Sequence, residues 1–383
     1  MSYPPVIQPT NHSMTDADIK YYLKKLEFPN CAKEALVAIA NLPRMSASTA
    51  RQQIQIQTEL MTEFVFGEID KLKQLKSSRA LQELQLIEVL SEFFRCPEHS
   101  PAVKNAVFLL LFPAEYPRYE ILGNLSSLSI ATQNTEVLDS TGMWMQQLGS
   151  TSPQSVALAK HILDEFFIYT LNAIDKLNML PSIVPHFTAN LLTAIGEVYK
   201  DVDPPNKLLK LAGDWIDDNP DLLTTSLIDN PALPSGGIPM TPITPIAGLF
   251  RWCILNPVRP KVENTDKDNN DNNSLKFYSK IQQLLMDAVL RLKTSNGNKH
   301  AISAQHLAQT TRDLTGLLDQ SRNNEKECNL ALERLAQAVS TALSVNCIYG
   351  YQQELFALLQ PLASRHFLID WIIMTYGTKS TIV

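Results

Sequence analysis

Residues 231–260 read PALPSGGIPMTPITPIAGLFRWCILNPVRP, and this stretch decides the fold. Its seven prolines each lack a backbone N–H, and a proline in a helix interior breaks the helix. One apolar segment free of proline, Ile246 to Leu255, lies among them. We expect an extended segment around one short helix, which begins at a Thr244 cap with Pro245 in its first turn.

Helical patterns fill the sequence on both sides of this stretch. Between Leu81 and Arg95, apolar residues recur every three to four positions and polar residues occupy the opposite side. Additional apolar positions widen the first face, as is typical of helices that pack between two neighbours. The same reading gives a helix over 16–26, one from Asn30 to about residue 41, and one over 49–76 with a break at Gly67.

Capping residues followed by proline mark the starts of five further helices, because proline is tolerated at the first helical position. The pairs are Ser100-Pro101, Ser152-Pro153, Asp203-Pro204, Asn219-Pro220 and Thr244-Pro245. Four of these prolines recur at intervals of 52, 51 and 41 residues. Such intervals approach the length of a two-helix repeat of the HEAT kind.

The region after the proline-rich stretch predicts a second helical part. Residues 262–273 (VENTDKDNNDNN) are polar and charged, which is typical of a linker. Four helical patterns follow, over 275–293, 300–318, 325–345 and 349–376, the last interrupted at Pro361. In the third, we place Glu333 and Arg334 outside the apolar stripe.

The sequence therefore predicts an all-α protein, an irregular HEAT-like helical-repeat array with a C-terminal helical bundle. No stretch shows the alternation typical of strands. We divide the chain into a tail at 1–14, an array at 15–260 that ends in the proline-rich block, a linker at 261–274 and a bundle at 275–378.

Composition excludes several protein classes. The 383 residues are 45% hydrophobic and 19% charged, with a net charge of −6. This mild acidity argues against a protein whose main task is to bind nucleic acid. The five cysteines are widely spaced, which favours free thiols in a reducing compartment over disulfides or zinc. No signal peptide or membrane-length apolar run is visible, so we expect an intracellular, soluble protein.

Few residues in the sequence suggest a catalytic or metal-binding site. His161 with Asp164 and Glu165, and His366 with Asp370, have the helical spacing of metal-ligand pairs, although each set lacks the convergent ligands of a complete site. Surface polar pairs explain them more simply. No phosphate-binding loop, nucleophile elbow or dinucleotide fingerprint occurs. We therefore predict no enzyme activity, no catalytic or metal site and no cofactor.

Basic residues are scattered, and two groups are the densest. Lys71, Lys73, Lys76 and Arg79 form one, and Arg291, Lys293 and Lys299 form the other. Both are explained by solvated helix faces, with a patch that binds RNA or DNA as the alternative.

Arg251 and Trp252 are the candidate partner interface. Arginine and tryptophan are enriched among the residues that contribute most to protein interfaces. For Trp252 the pattern favours a buried side chain that fixes the position of its helix over this interface role.

Several motifs resemble the Integrator complex subunit 15 family, in the order found in that family. They are the segments 63–66 (EFVF), 81–88 (LQELQLIE) and 215–216 (WI), the TP…GL.RWC pattern of 244–253, 278–280 (YSK) and 332–338 (LERLAQA). The resemblance extends from about residue 32 to residue 342.

This resemblance implies a non-catalytic, α-helical, nuclear subunit of the Integrator complex. That complex acts on RNA polymerase II transcripts, processes small nuclear RNA 3′ ends and attenuates transcription. The family's role implies a scaffold that joins the arm of subunits 10, 13 and 14 to the rest, with no membrane and no direct nucleic acid required. Residues 262–273 are acidic and amide-rich where vertebrate members have a basic linker, and the chain lacks their Pro- and His-rich tail. A helical adaptor in an unrelated intracellular complex is the alternative.

Overall fold

The computed structural model describes residues 16–45, 51–71, 76–115, 117–170, 173–228, 230–233, 237–260, 271–294, 300–320 and 324–377. The chain forms two compact units. Unit 1 contains Met1–Leu125 with Leu233–Ser235, and unit 2 contains Ser126–Ala232 with Gly236–Val383.

Unit 1 is built from helices that pack around α2. Its elements are α1 (Asp16–Lys25), α2 (Asn30–Met45), α3 (Arg51–Lys71), α4 (Lys76–Arg95), α5 (Pro101–Leu111) and the first part of α6 (Tyr119–Thr132). Helix α2 contacts α1, α3, α4 and α5. The core contains a run of edge-to-face and tilted rings, with Phe94–Phe108 centroids 5.4 Å apart and Phe108–Phe112 centroids 5.0 Å apart. The break expected at Gly67 is wrong, because α3 continues through it to Lys71.

Unit 2 contains the remaining helices. They are α7 (Thr135–Leu148), α8 (Pro153–Asp164), α9 (Leu180–Ile183), α10 (Pro185–Val198), α11 (Asn206–Asp218), α12 (Thr225–Ile228), α13 (Ile246–Leu255), α14 (Asp271–Arg291), α15 (Ala304–Gln320), α16 (Glu325–Ser344), α17 (Gln353–Leu359) and α18 (Phe367–Tyr376). A π-helical turn, Glu165–Tyr169, extends α8. Short 3-10 turns lie at Ile174–Lys176, Pro220–Leu223, Asn256–Val258 and Gln360–Arg365.

Helix α10 is deeply enclosed within unit 2. All ten residues from Phe187 to Gly196 are buried. The helix contacts α7, α8, α9, α12 and α13. Against α7 the approach is so close that a Cβ added at Gly142 would lie 2.7 Å from the Phe187 Cα. Backbone packing at this distance requires glycine.

The predicted caps separate into two groups. Ser100 and Ser152 accept hydrogen bonds from the backbone N–H of Val103 and Ser155, with proline in the first turn, so both predictions are confirmed. Thr244 is different, because α13 begins after Pro245 and the Thr244 hydroxyl donates to the Ala301 carbonyl at 2.5 Å. Asp203 is not a cap either, because α11 begins at Asn206 and Asp203 pairs with Arg259.

The prediction of an all-α helical array is confirmed for the described residues. Their strands are two-residue segments, β1 (Ile302–Ser303) and β2 (Ile348–Tyr349), which pair in parallel. Residues 261–270 of the predicted linker lie outside the described residues, and α14 already includes its last part, 271–274. Helices α13 to α16, from both sides of that linker, pack together in unit 2. The four-part domain division stays a prediction.

Candidate functional site

Helix α13 forms the centre of the predicted interface region. Eight of its ten residues are buried, and the two less buried positions are Gly248 and Arg251. The helix contacts α10, α14, α15 and α16. The apolar sequence IAGLFRWCIL therefore forms a helix enclosed on most sides, in which Arg251 is the charged residue.

Two glycines set the distance between α13 and α10. A Cβ added at Gly248 would lie 3.3 Å from the Gly196 Cα, and one added at Gly196 would lie 3.4 Å from the Gly248 Cα. Next to this crossing, the Trp252 indole N–H donates to the Gly196 carbonyl at 3.3 Å. Trp252 has no exposed surface, and its ring packs edge-to-face on Tyr199. Trp252 therefore occupies the buried position that the sequence analysis favoured for it.

Arg251 links three parts of unit 2. Its Nε donates to the Lys200 carbonyl at 3.0 Å, one terminal nitrogen bonds Asp313 of α15, and the other lies 3.5 Å from Asp201. Its side chain is only 15% exposed. All three of its nitrogens thus have partners within the chain, and the guanidinium holds α13 against α15 and against the residues that follow α10.

A polar pocket of about 530 Å³ opens beside Arg251. Its walls include Glu197, Lys200, Asp201, His306 and Asp313. Burial lowers the pKa of His306, and nearby Arg251 lowers it further, whereas Glu197 acts in the opposite direction. His306 is therefore held neutral at pH 7, and the pocket has both donor and acceptor groups for a polar ligand or a partner side chain.

Arg334 is a second buried cation, and sequence reasoning placed it wrongly outside the apolar stripe of α16. It is 3% exposed. Its guanidinium donates to the Cys253 carbonyl at 2.7 Å and to the Ser279 hydroxyl at 3.1 Å. The arginine thus joins α16 to α13 and α14 through neutral acceptors, an arrangement that helical periodicity alone does not indicate.

Cys253 is chemically inert in this setting. Its side chain is fully buried, and burial raises the pKa of its thiol to about 12. The thiol stays protonated at pH 7, so it lacks the thiolate that a nucleophile or a metal ligand needs.

The two histidine candidates lie apart from the polar pocket. His161 lies near the end of α8, and its Nε2 is buried without a hydrogen-bond partner. His366 precedes α18, with its Nδ1 in the same condition. Among the described residues, no group of three His, Cys, Asp or Glu side chains has a geometry that would hold a metal ion.

The structure describes only part of each of the two basic groups, the one that begins at Lys71 and the one that begins at Arg291. Lys71 lies 3.6 Å from Glu68, and Arg291 and Lys293 are exposed near the end of α14. Lys73 and Lys299 lie outside the described residues, as do the side chains of Lys76 and Arg79.

An exposed apolar stripe on α18 was not predicted. Phe367, Trp371 and Met374 are 75%, 49% and 71% exposed. Their spacing of four and three residues places them on one helix face, and this spacing was the available sequence signal. In the part of the chain that the structure describes, no helix is both long enough and apolar enough to cross a bilayer.

Comparisons with known proteins identify the family to which the sequence is similar. The family model described as Integrator complex subunit 15 matches residues 17–364. A Drosophila melanogaster protein named Integrator complex subunit 15 is 33% identical over 365 residues, covering 89% of this chain and 92% of that protein. Proteins of the same name from Danio rerio and Homo sapiens are each 27% identical over 387 residues, covering 92% of this chain and 80% and 86% of theirs.

Proposed function

The chain belongs to the Integrator complex subunit 15 family, and from this premise we propose that it is a non-catalytic scaffold subunit of the Integrator complex. Its place of action would be the nucleus. Its partners would be other Integrator subunits, and its processes would be small nuclear RNA 3′-end formation and attenuation of RNA polymerase II transcription. Direct contact with nucleic acid is not required for this role.

One structural observation supports a scaffold more than any other. Helix α13 is enclosed by α10, α14, α15 and α16, and Arg251 and Arg334 bind acceptors on the segments around it. Such cross-linked packing produces a rigid body on which partner surfaces keep fixed relative positions. The fully buried, protonated thiol of Cys253 suits a structural part of the protein.

We further propose that the chain joins the arm of subunits 10, 13 and 14 to the rest of the complex, and that the Arg251 pocket contributes to one of these contacts. Because Trp252 is buried, this contact would involve the pocket mouth, where Lys200, Asp201 and Gln309 are exposed. A mouth with charges of both signs suits a polar partner segment.

Affinity purification of the tagged chain from nuclear extract, followed by mass spectrometry, tests the scaffold role. We expect the purification to recover Integrator subunits, with subunits 10, 13 and 14 the most abundant relative to the tagged chain. Recovery of intact, soluble bait without any Integrator subunit would contradict the proposal and favour an adaptor of another complex.

A charge reversal at the pocket mouth tests the Arg251 contact. Asp201 is 74% exposed, so Asp201→Arg is expected to fold normally and to reduce recovery of the arm subunits at least about threefold. The control is Asp287→Arg, at an exposed position of α14 outside the pocket. Equal recovery with both variants would exclude a contact at the mouth.

A further inference from the structure

A large concave surface of the described residues lies entirely in unit 1. It is an open groove of about 1710 Å³ lined by α1, the turn into α2 and the start of that helix, α3, α4, α5 and the residues that follow α5; we call it the unit 1 groove. Pockets for small molecules usually enclose about 300–1,000 Å³. This groove exceeds that range, so its size suits a segment of polypeptide.

The floor of the groove is apolar and incompletely covered. Six apolar side chains that line it remain partly exposed: Leu26, Phe28, Phe64, Leu109, Leu110 and Pro113. Apolar side chains gathered in one groove differ from the single exposed apolar residues found on any surface. A helix that buries its apolar face here would remove this surface from water.

The charges along the groove favour a basic occupant. Six carboxylates line it (Glu27, Glu59, Glu63, Glu68, Asp70, Glu115) against four cations (Lys20, Lys24, Lys71, Arg118). Two of the cations already have acidic partners within the groove, since Arg118 pairs with Asp70 at 3.0 Å and Lys71 with Glu68 at 3.6 Å. Glu27, Glu63 and Glu115 are exposed and take part in no ion pair among the described residues.

We propose that the unit 1 groove binds an amphipathic helix of a partner protein, whose apolar stripe is bordered by lysine or arginine. Its apolar side would cover Phe64 and the other floor residues, and its basic side chains would face Glu27 and Glu63. That the partner is an Integrator subunit rests on the proposed function. The groove's preference for a basic helix does not depend on it.

Two other occupants fit the charges less well. Residues 1–15 of the chain contain no lysine or arginine, so they offer the carboxylates no counterion of that kind. A second copy of the chain has a net charge of −6, and its approach to an acidic groove is electrostatically unfavourable.

The test uses the purified full-length chain and two fluorescein-labelled helical peptides of about 18 residues. Both peptides carry the same leucine stripe, which lysines border in one and glutamates in the other. In anisotropy titrations we expect the lysine peptide to bind at least about tenfold more tightly. The Glu27→Lys/Glu63→Lys variant should abolish or reverse this preference. The charge-matched control Glu88→Lys/Glu98→Lys, at exposed positions outside the groove, should leave it unchanged.

Several outcomes would overturn the proposal. Equal affinity for the two peptides, or an unchanged preference in the groove variant, would exclude charge-selective binding there. Binding that appears only after deletion of residues 1–15 would identify that segment as the occupant. A dimer on size-exclusion chromatography that Glu27→Lys/Glu63→Lys dissociates would identify a second copy.

This assay separates the groove from the proposed function. If the chain selects the lysine peptide but recovers no Integrator subunits, the result would support the groove as a binding site for a basic helix and contradict the complex assignment. Recovery of Integrator subunits without peptide selectivity would support the complex assignment and contradict the proposed groove.

Discussion

The Arg251 region of unit 2 and the groove of unit 1 use charged side chains in opposite ways. Every nitrogen of Arg251 has a partner within the chain, and the neighbouring Trp252 is fully buried. In the groove, Glu27, Glu63 and Glu115 face solvent without ion-pair partners in the described part of the chain. The difference teaches that a motif rich in interface-type residues can serve packing, whereas the docking surface that we propose has a plain acidic rim over an apolar floor.

The largest expected effect comes from adding one methyl group to a glycine in each unit. Gly142→Ala places a Cβ 2.7 Å from the Phe187 Cα, and neither backbone can move away easily. We expect the free energy of unfolding to fall by about 2–3 kcal/mol. In the groove, the Cβ that Gly67→Ala adds has no neighbouring atom within 4 Å. This variant should raise the free energy of unfolding by about 0.5–1 kcal/mol, because alanine has a higher helix propensity than glycine. Denaturant unfolding followed by circular dichroism measures both. Equal changes in the free energy of unfolding for the two variants would contradict the proposed difference in packing.

The next effect concerns the ion pairs of Arg251. Arg251→Met leaves Asp313, which is 27% exposed, without its cation, and we expect a loss of about 1–2 kcal/mol in the free energy of unfolding. Arg312→Met breaks a pair with Glu354 whose side chains are 51% and 46% exposed, and should cost less than about 0.5 kcal/mol. A double-mutant cycle with Asp313→Asn isolates the pair. Similar losses for the two arginine variants would show that Arg251 behaves as a surface residue.

A smaller effect should appear in the pH dependence of stability. The pKa of His306 is lowered in the folded chain, so the unfolded chain binds the proton more readily. The contribution of His306 is therefore fully present above its unfolded pKa of about 6.5 and is lost as pH falls toward the folded pKa. The variant His306→Gln should unfold with a weaker pH dependence below about pH 6.5. Identical profiles for the wild type and the variant would contradict the burial argument.

The smallest effect is expected in the groove. Glu27→Lys/Glu63→Lys removes no ion pair among the residues that the structure describes, so the free energy of unfolding should change by less than about 0.5 kcal/mol. A thermal unfolding curve that overlays that of Glu88→Lys/Glu98→Lys would confirm that these carboxylates are free for binding. A large loss would show that they support the fold instead.

Amphipathic helices and side-chain caps were predictable from the sequence. Ser100 and Ser152 combine a hydroxyl cap with a following proline, as predicted. Thr244 and Asp203 have the same local pattern of a capping residue before proline but bond residues far away in the sequence instead. The pattern of α16 was equally clear, although Arg334 faces inward because the Cys253 carbonyl, far away in the sequence, accepts its hydrogen bond. Long-range acceptors of this kind leave no local signal.

Helix α10 was missed for a different physical reason. It starts at Pro185 after Val184, so it lacks a capping side chain, and its buried residues include Thr188, Asn190 and Thr193. The residues from Phe187 to Gly196 are buried whether they are apolar or polar, so the sequence pattern does not mark an exposed face. The unit 1 groove was equally invisible, because its lining comes from several helices, the turn into α2 and the residues that follow α5. The nomination of Arg251 and Trp252 as a partner contact stays a prediction.

The enclosure of α13 also constrains the order in which the contacts of unit 2 can form while the chain is being synthesised. Helix α10 precedes α13 by about 50 residues, but three further contacts of α13 come from α14, α15 and α16, which end at Ser344. A nascent chain that has not yet released Ser344 from the ribosome leaves the apolar faces of α13 uncovered. Unit 2 can therefore close fully around α13 only after α16 has been synthesised, and until then part of the apolar surface of α13 is exposed to water.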